Sequence, residues 1–231
     1  MSWLADLVRL YDRVFRQAAV LAARNLAMGL VILVYQVLLG FAVVVAAPLG
    51  IFGGFLIQLA VSACASSWLA IVEQVVRGGR PTFADLPASF GRYLGDVLTV
   101  TFLLWGLRLV AAIVLPSDSF LQILLMLAVA VFFNAVPELI YLGHHAAAAL
   151  LMESYRFIGE NWVEWFPANL LFGAGLVVIA AAVPHGPANI VLDVVVSIWL
   201  YYAMIVRGLL FQELSTSTRR SREFRRRAAG S

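Results

Sequence analysis

Two charges stand where charge is expensive. Arg108 interrupts the apolar run Phe102-Leu103-Leu104-Trp105-Gly106-Leu107-Arg108-Leu109-Val110, and Asp193 interrupts Ile190-Val191-Leu192-Asp193-Val194-Val195-Val196. A lone charge at the centre of a lipid-embedded helix costs at least ~2.5–3.5 kcal/mol on insertion scales, so each of the two needs a counter-charge or water. At about 1.5 Å per helical residue, Arg108 lies roughly 10 Å and Asp193 roughly 8 Å inside the far end of its apolar segment. The matching depths predict an ion pair that fixes the register of the two segments. The chemical alternative is handling of a solute or a proton.

A second pattern is small or polar residues at four-residue spacing: Gly50, Gly54, Gln58, Ser62 and Ser66. On a helix they share one face. Gly50 and Gly54 form a GxxxG pair, which admits close approach of another helix. Packing within a bundle is the ordinary reading of such a stripe; a dimer face or a wet path for solute are the functional ones. Gln36, Gln122 and Asn134 are further polar residues in apolar surroundings, each suited to a hydrogen bond between helices. Pro137 predicts a kink beside Asn134, and Glu138 is placed near an interface.

Other chemistry finds little support. His144 and His145 lie near Glu138, Glu153, Glu160 and Glu164. Adjacent histidines diverge by about 100° on a helix, and no HExxH is present, so no metal site is expected. There is no GxSxG, no P-loop and no dinucleotide fingerprint, and no cofactor is implied. The lone Cys64 can form no disulfide within one chain.

The elements that must hold these residues follow from composition. Of 231 residues, 63% are hydrophobic and 13% are charged. A soluble domain is nearer half apolar and a quarter charged, so the surplus must face lipid. Six segments have the 17–25 residues that cross a hydrocarbon core: Leu26–Ala47, Leu49–Val72, Val97–Leu115, Phe120–Leu142, Pro167–Val183 and Ala188–Leu210. Tight turns at Ala46-Ala47-Pro48, Pro116-Ser117-Asp118-Ser119 and Pro184-His185-Gly186-Pro187 pair them into three hairpins. The fold class is therefore an all-α polytopic bundle of six transmembrane helices. Residues 1–25 form an amphipathic interfacial helix, 26–210 the membrane domain and 211–231 a basic tail.

In the first segment Trp3, Leu4, Leu7, Val8, Tyr11, Val14, Phe15 and Ala18 recur at helical spacing, opposite Asp6, Arg9, Arg13 and Arg16. Such a helix is expected in the headgroup plane. Its scattered charges leave no uninterrupted apolar stretch for a cleavable signal peptide. The connections 77–96 and 146–165 also read as interfacial, the latter through Tyr155, Phe157, Trp162 and Trp165.

All sixteen basic residues are arginine, as in a GC-rich bacterial genome. Apart from Arg108, they fall on one side, in the termini, the long connections and, at Arg207, the near end of the last span, and none is in the tight turns. The positive-inside rule then puts both termini in the cytoplasm, the membrane being a bacterial inner membrane. The tail arginines Arg219, Arg220, Arg222, Arg225, Arg226 and Arg227 suit anionic lipid headgroups, at ~1 kcal/mol per nearby charge. No nucleic acid partner is expected.

Ser89-Phe90 and Ser154-Tyr155 each open an amphipathic stretch followed by a span ending at proline, Pro116 and Pro184, and the N-terminal unit repeats this plan up to Pro48. Three parallel repeats, or a shared topology alone, give this appearance. The layout resembles uncharacterised prokaryotic six-span families and the membrane domain attached to some glycerophosphodiester phosphodiesterases. The resemblance rests on Ser89 to Pro116 and Ser154 to Pro184, including Phe157-Ile158-Gly159-Glu160-Asn161-Trp162. It implies a fold and carries over no catalytic residue.

The functional expectation is a non-enzymatic membrane scaffold or accessory subunit contacting lipid, a protein partner or a second copy. A small-solute transporter or channel is the second expectation, and a membrane-embedded lipid enzyme the third.

Overall fold

The computed structural model describes residues 2–116, 119–143, 148–182 and 190–216. Among these there is no strand, and six helical segments are long and apolar enough to cross a membrane. They are Leu26–Leu49, Ile51–Val76, Leu94–Val114, Phe120–Leu142, Ala149–Ala182 and Ile190–Thr216. The chain thus has the architecture of a multi-pass membrane protein.

Helix α1 covers Ser2–Arg24, α2 Val31–Ala46 and α3 Ile51–Val76. A 3-10 turn at Ala47–Leu49 joins α2 to α3 and ends on Gly50, whose φ of 57° is open to glycine at little cost. After the short α4 (Leu86–Ser89) come α5 (Leu94–Val114), α6 (Phe120–Phe132), α7 (Val136–Leu142), α8 (Ala148–Ala182) and α9 (Ile190–Thr216).

The fourth span breaks between α6 and α7, with Pro137 in the first turn of α7. The break leaves helix carbonyls without their usual donors. Side chains from other helices meet two of them: Ser154 Oγ donates to Phe132 O at 2.8 Å, and Arg207 to Asn134 O at 2.6 Å.

The fifth span differs from expectation. The stretch before Pro167 and the span after it form one helix, with the proline inside it. Tyr11 explains part of how this turn is held. Its hydroxyl accepts from Ala168 N at 3.3 Å and donates to Glu164 O at 2.7 Å, bridging the turn around the proline. Burial pushes the Tyr11 phenol up to about 12.

α1 itself does not use its apolar face on lipid alone. Val14, Ala18 and Ala22 are buried, α1 packs on α9, and Tyr202 donates to Phe15 O at 3.2 Å. Leu4 and Val8 continue the same face past this contact and are exposed, so only the first turns remain available to the interface.

Packing is unequal across the bundle. One end carries α1, the 77–96 connection and the end of α9, and holds most of the arginines of the described residues; the opposite end carries the Ala47–Leu49 turn, residues 117–118 and 183–189 of the other two expected turns lying outside the described residues. α3 is buried almost continuously from Ser62 to Val76, but before that only at Gly53. The buried residues of α9 all lie between Ser197 and Leu214, and α6 has no buried residue. At the turn end large side chains point outward, Phe52 and Phe55 both 81% exposed. Exposing such a side chain to water would forgo about 1.5–3 kcal/mol each, which acyl chains recover.

Candidate functional site

Two buried carboxylates at the arginine end are held by arginine, while a third buried glutamate, Glu164, is in no ion pair among the described residues. Glu138 on α7 is completely buried. Arg207 on α9 grips both its oxygens, Nε to Oε1 and Nη2 to Oε2, each at 2.8 Å. The guanidinium also lies 5.3 Å above the ring of the fully buried Trp165. Trp165 Nε1 in turn donates to Asn134 Oδ1 at 2.9 Å, the interhelical bond expected of that asparagine. Glu138 is therefore not the cheap interfacial charge that sequence position implies. Tyr141 packs beside the pair, and its buried hydroxyl has no hydrogen-bond partner among the described residues. Gly208 lets it in: a Cβ there would lie 2.7 Å from that oxygen.

Glu73, near the end of α3, is the second centre. Arg77 Nε reaches Oε1 at 2.9 Å, Arg92 reaches Oε2 at 2.8 Å, and Tyr93 donates to Oε2 at 2.5 Å. Burial, and then the bond to Glu73, push the Tyr93 phenol up to about 12, against an opposing pull from Arg92. A raised phenol favours the folded state up to the ordinary pKa near 10, and that contribution is lost as pH climbs from there through 12. Glu73→Gln is expected to cost about 2 kcal/mol. It should also lower the pH at which Tyr93 ionises and expose Arg77, Arg80 and Arg92 to trypsin. Alkaline absorbance titration against a Tyr93→Phe reference, with limited proteolysis, reads both. An unchanged titration and an uncut connection would contradict the role given to Glu73.

A neutral relay completes the seam. Tyr35 of α2 bonds Ser67 of α3 at 2.6 Å, Ser67 bonds Ser89 at 2.5 Å, and Ser89 donates to Leu86 O at 2.6 Å. Ser66 accepts from Tyr93 N at 2.8 Å. These bonds pin the connection between α3 and α5 onto the first hairpin. Beyond them an open cleft of about 440 Å³ lies between the ends of α7 and α9 and the first half of α8. Glu153, Arg156, Glu160 and Asn161 form its polar side, and Phe157 and Phe211 line it.

The residues singled out by sequence separate. Arg108 and Asp193 do not pair: neither is in an ion pair among the described residues. Their helices are held apart, because α5 packs on α3 and α8, and α9 packs on the same two helices. The small-residue stripe divides as well. Gly54 and Gln58 are exposed, Ser62 and Ser66 are buried, and a Cβ on Gly54 would meet nothing within 4 Å. The close approach is made by Gly53 instead. Trp165, placed at the interface by composition, is in the core, while Trp162 is exposed.

His144, His145, His185 and the tail arginines Arg219 to Arg227 lie outside the described residues. No cluster of metal-ligating side chains occurs among the described ones.

No family model, curated protein or solved structure gives a significant match to this chain. Its site must therefore be read from its own geometry. That geometry is poor in free reactive groups. Both oxygens of Glu138 accept hydrogen bonds from Arg207, and both of Glu73 are engaged by arginine or by the Tyr93 phenol, so neither carboxylate stands open to a substrate. Glu73, Glu138 and Arg207 were the residues to find. Their one sequence signal is a charge flanked by apolar residues, in Ala70-Ile71-Val72-Glu73 and Ile205-Val206-Arg207.

Proposed function

We propose that this chain is a non-enzymatic scaffold or accessory subunit of a bacterial cytoplasmic membrane, with its arginine end in the cytoplasm. The observation that carries the reading is the engagement of two buried carboxylates, Glu138 and Glu73, by arginine at one end of the bundle. Glu138 with Arg207 and Glu73 with its three partners clamp α3, α5, α7 and α9 at one end, where a solute path would have to pass. What such an end offers is a fixed surface of α1 and the cleft beside α8, to which the sequence adds a basic tail. Arg219, Arg220, Arg222, Arg225, Arg226 and Arg227 add attraction to anionic headgroups, and the exposed Leu4 and Val8 suit insertion beside them.

One observation favours transport as a second reading. Asp193 is half-buried, and one turn further along α9 the Ser197 hydroxyl is buried with no hydrogen-bond partner among the described residues. Together they make a polar notch near the turn end.

Cysteines at Ser62 and Ser197 distinguish the two readings in sealed vesicles. A membrane-impermeant thiol reagent is expected to modify neither from the arginine end. Modification of both, from both sides, would establish a continuous wet path and sink the scaffold reading. Protease added outside intact cells should leave the 77–96 connection uncut, and cleavage there would overturn the orientation.

A further inference from the structure

Arg108 and Asp193 are in no ion pair among the described residues, and α3, which packs on both of their helices, indicates where partners fit. Arg108 is exposed on α5, Asp193 is half-buried in the first turn of α9, and on α3 itself Gly54 and Gln58 are exposed. Counting from the turn-end helix termini, Arg108 is about 9 Å, Gln58 about 10 Å and Asp193 about 5 Å deep. The long arginine stem spans that difference in depth. Gln58 Nε2 makes one long bond, 3.4 Å to Ser62 Oγ of the same helix, and acyl chains satisfy neither the carboxamide oxygen nor a guanidinium, so a lipid-facing surface with both at one level is poorly matched to lipid.

We infer that the protein self-associates through the turn-end half of α3, with Arg108 of each copy paired to Asp193 of the other. A two-fold interface brings residue i to j and j to i. An axis beside α3 lays α5 of one copy against α9 of its partner on both sides, and forms two ion pairs at once. Gly54, open to its surroundings, lets the two α3 backbones approach. The pair left open among the described residues of one chain closes between two. This goes beyond the functional reading above and is compatible with a scaffold or a transporter, since it concerns association alone.

The test uses the full chain in lipid vesicles, in a Cys64→Ala background. Arg108→Cys and Asp193→Cys are placed on separately tagged copies, co-expressed and treated with a short bifunctional thiol reagent. A cross-linked heterodimer is expected, absent when either variant is expressed alone. Energy transfer between labelled copies provides the second arm. Arg108→Asp and Asp193→Arg should each weaken association at least tenfold, and combining them in one chain should restore it to within about threefold. Thermal unfolding of each variant monitors folding.

Absence of the heterodimer, or a cross-link within a chain carrying both cysteines, overturns the proposal. So does association that neither charge reversal changes, the result expected if Arg108 simply reaches outer headgroups.

Discussion

Arg207→Ala is expected to lower the stability of the folded protein by about 3–5 kcal/mol, enough to remove most of it from the membrane. The size follows from what stays behind. Glu138 has no exposed surface, so loss of the guanidinium strands a carboxylate where neither water nor lipid can solvate it. Asn134 O loses its donor in the same step, at the break between α6 and α7 where no helical N–H replaces it.

Glu138→Ala should cost less than Arg207→Ala. The arginine keeps the Asn134 carbonyl and the Trp165 ring, and its side chain retains 16% exposure through which to rehydrate. Glu138→Leu with Arg207→Met should recover most of the loss, because a buried pair replaced by well-packed apolar groups is often neutral or better. Thermal unfolding in detergent, with size-exclusion profiles as a check on folding, ranks the three variants. If Arg207→Ala stayed within 1 kcal/mol of the parent, the pair would not be the clamp described above.

The same pair shows what was legible in the sequence. Spans are local: about twenty apolar residues without charge announce themselves wherever they fold, and Phe120–Leu142 falls where apolarity alone puts it. Pairing is not local. Arg207 looks like one more flanking arginine until α7 and α9 are seen to bring it against a residue 69 positions earlier. Arg108 and Asp193 looked like partners because depth along a helix can be counted, whereas the neighbours of a helix cannot. The stretch ahead of Pro167 looked interfacial because aromatic residues favour that layer and proline ends many helices. In the fold the turn is bridged by Tyr11, from a helix more than 150 residues away, and Trp165 is drawn into the core by Arg207 and Asn134.

Glycine spacing misleads in the same way, and substitution at adjacent positions separates pattern from contact. GxxxG selects Gly50 and Gly54, yet a Cβ on Gly53 would lie 1.9 Å from Ala46 O, and one on Gly54 would meet nothing. The obstacle at Gly53 is backbone, not a side chain that can swing away. Gly53→Ala must therefore pry α2 from α3 at a turn already fixed by Pro48 and by the positive φ of Gly50. A cost of about 3 kcal/mol is expected, at the upper end for overpacking, because a rigid hairpin has little room to yield. Gly54→Ala should leave the stability of the monomer unchanged or raise it slightly, since alanine is the better helix former by up to about 1 kcal/mol. Unfolding midpoints of the two variants, measured in the same detergent, decide the matter. Equal effects would mean that the hairpin is looser than its Gly53–Ala46 contact implies. A larger loss at Gly54 would place the close helix approach on the GxxxG face after all.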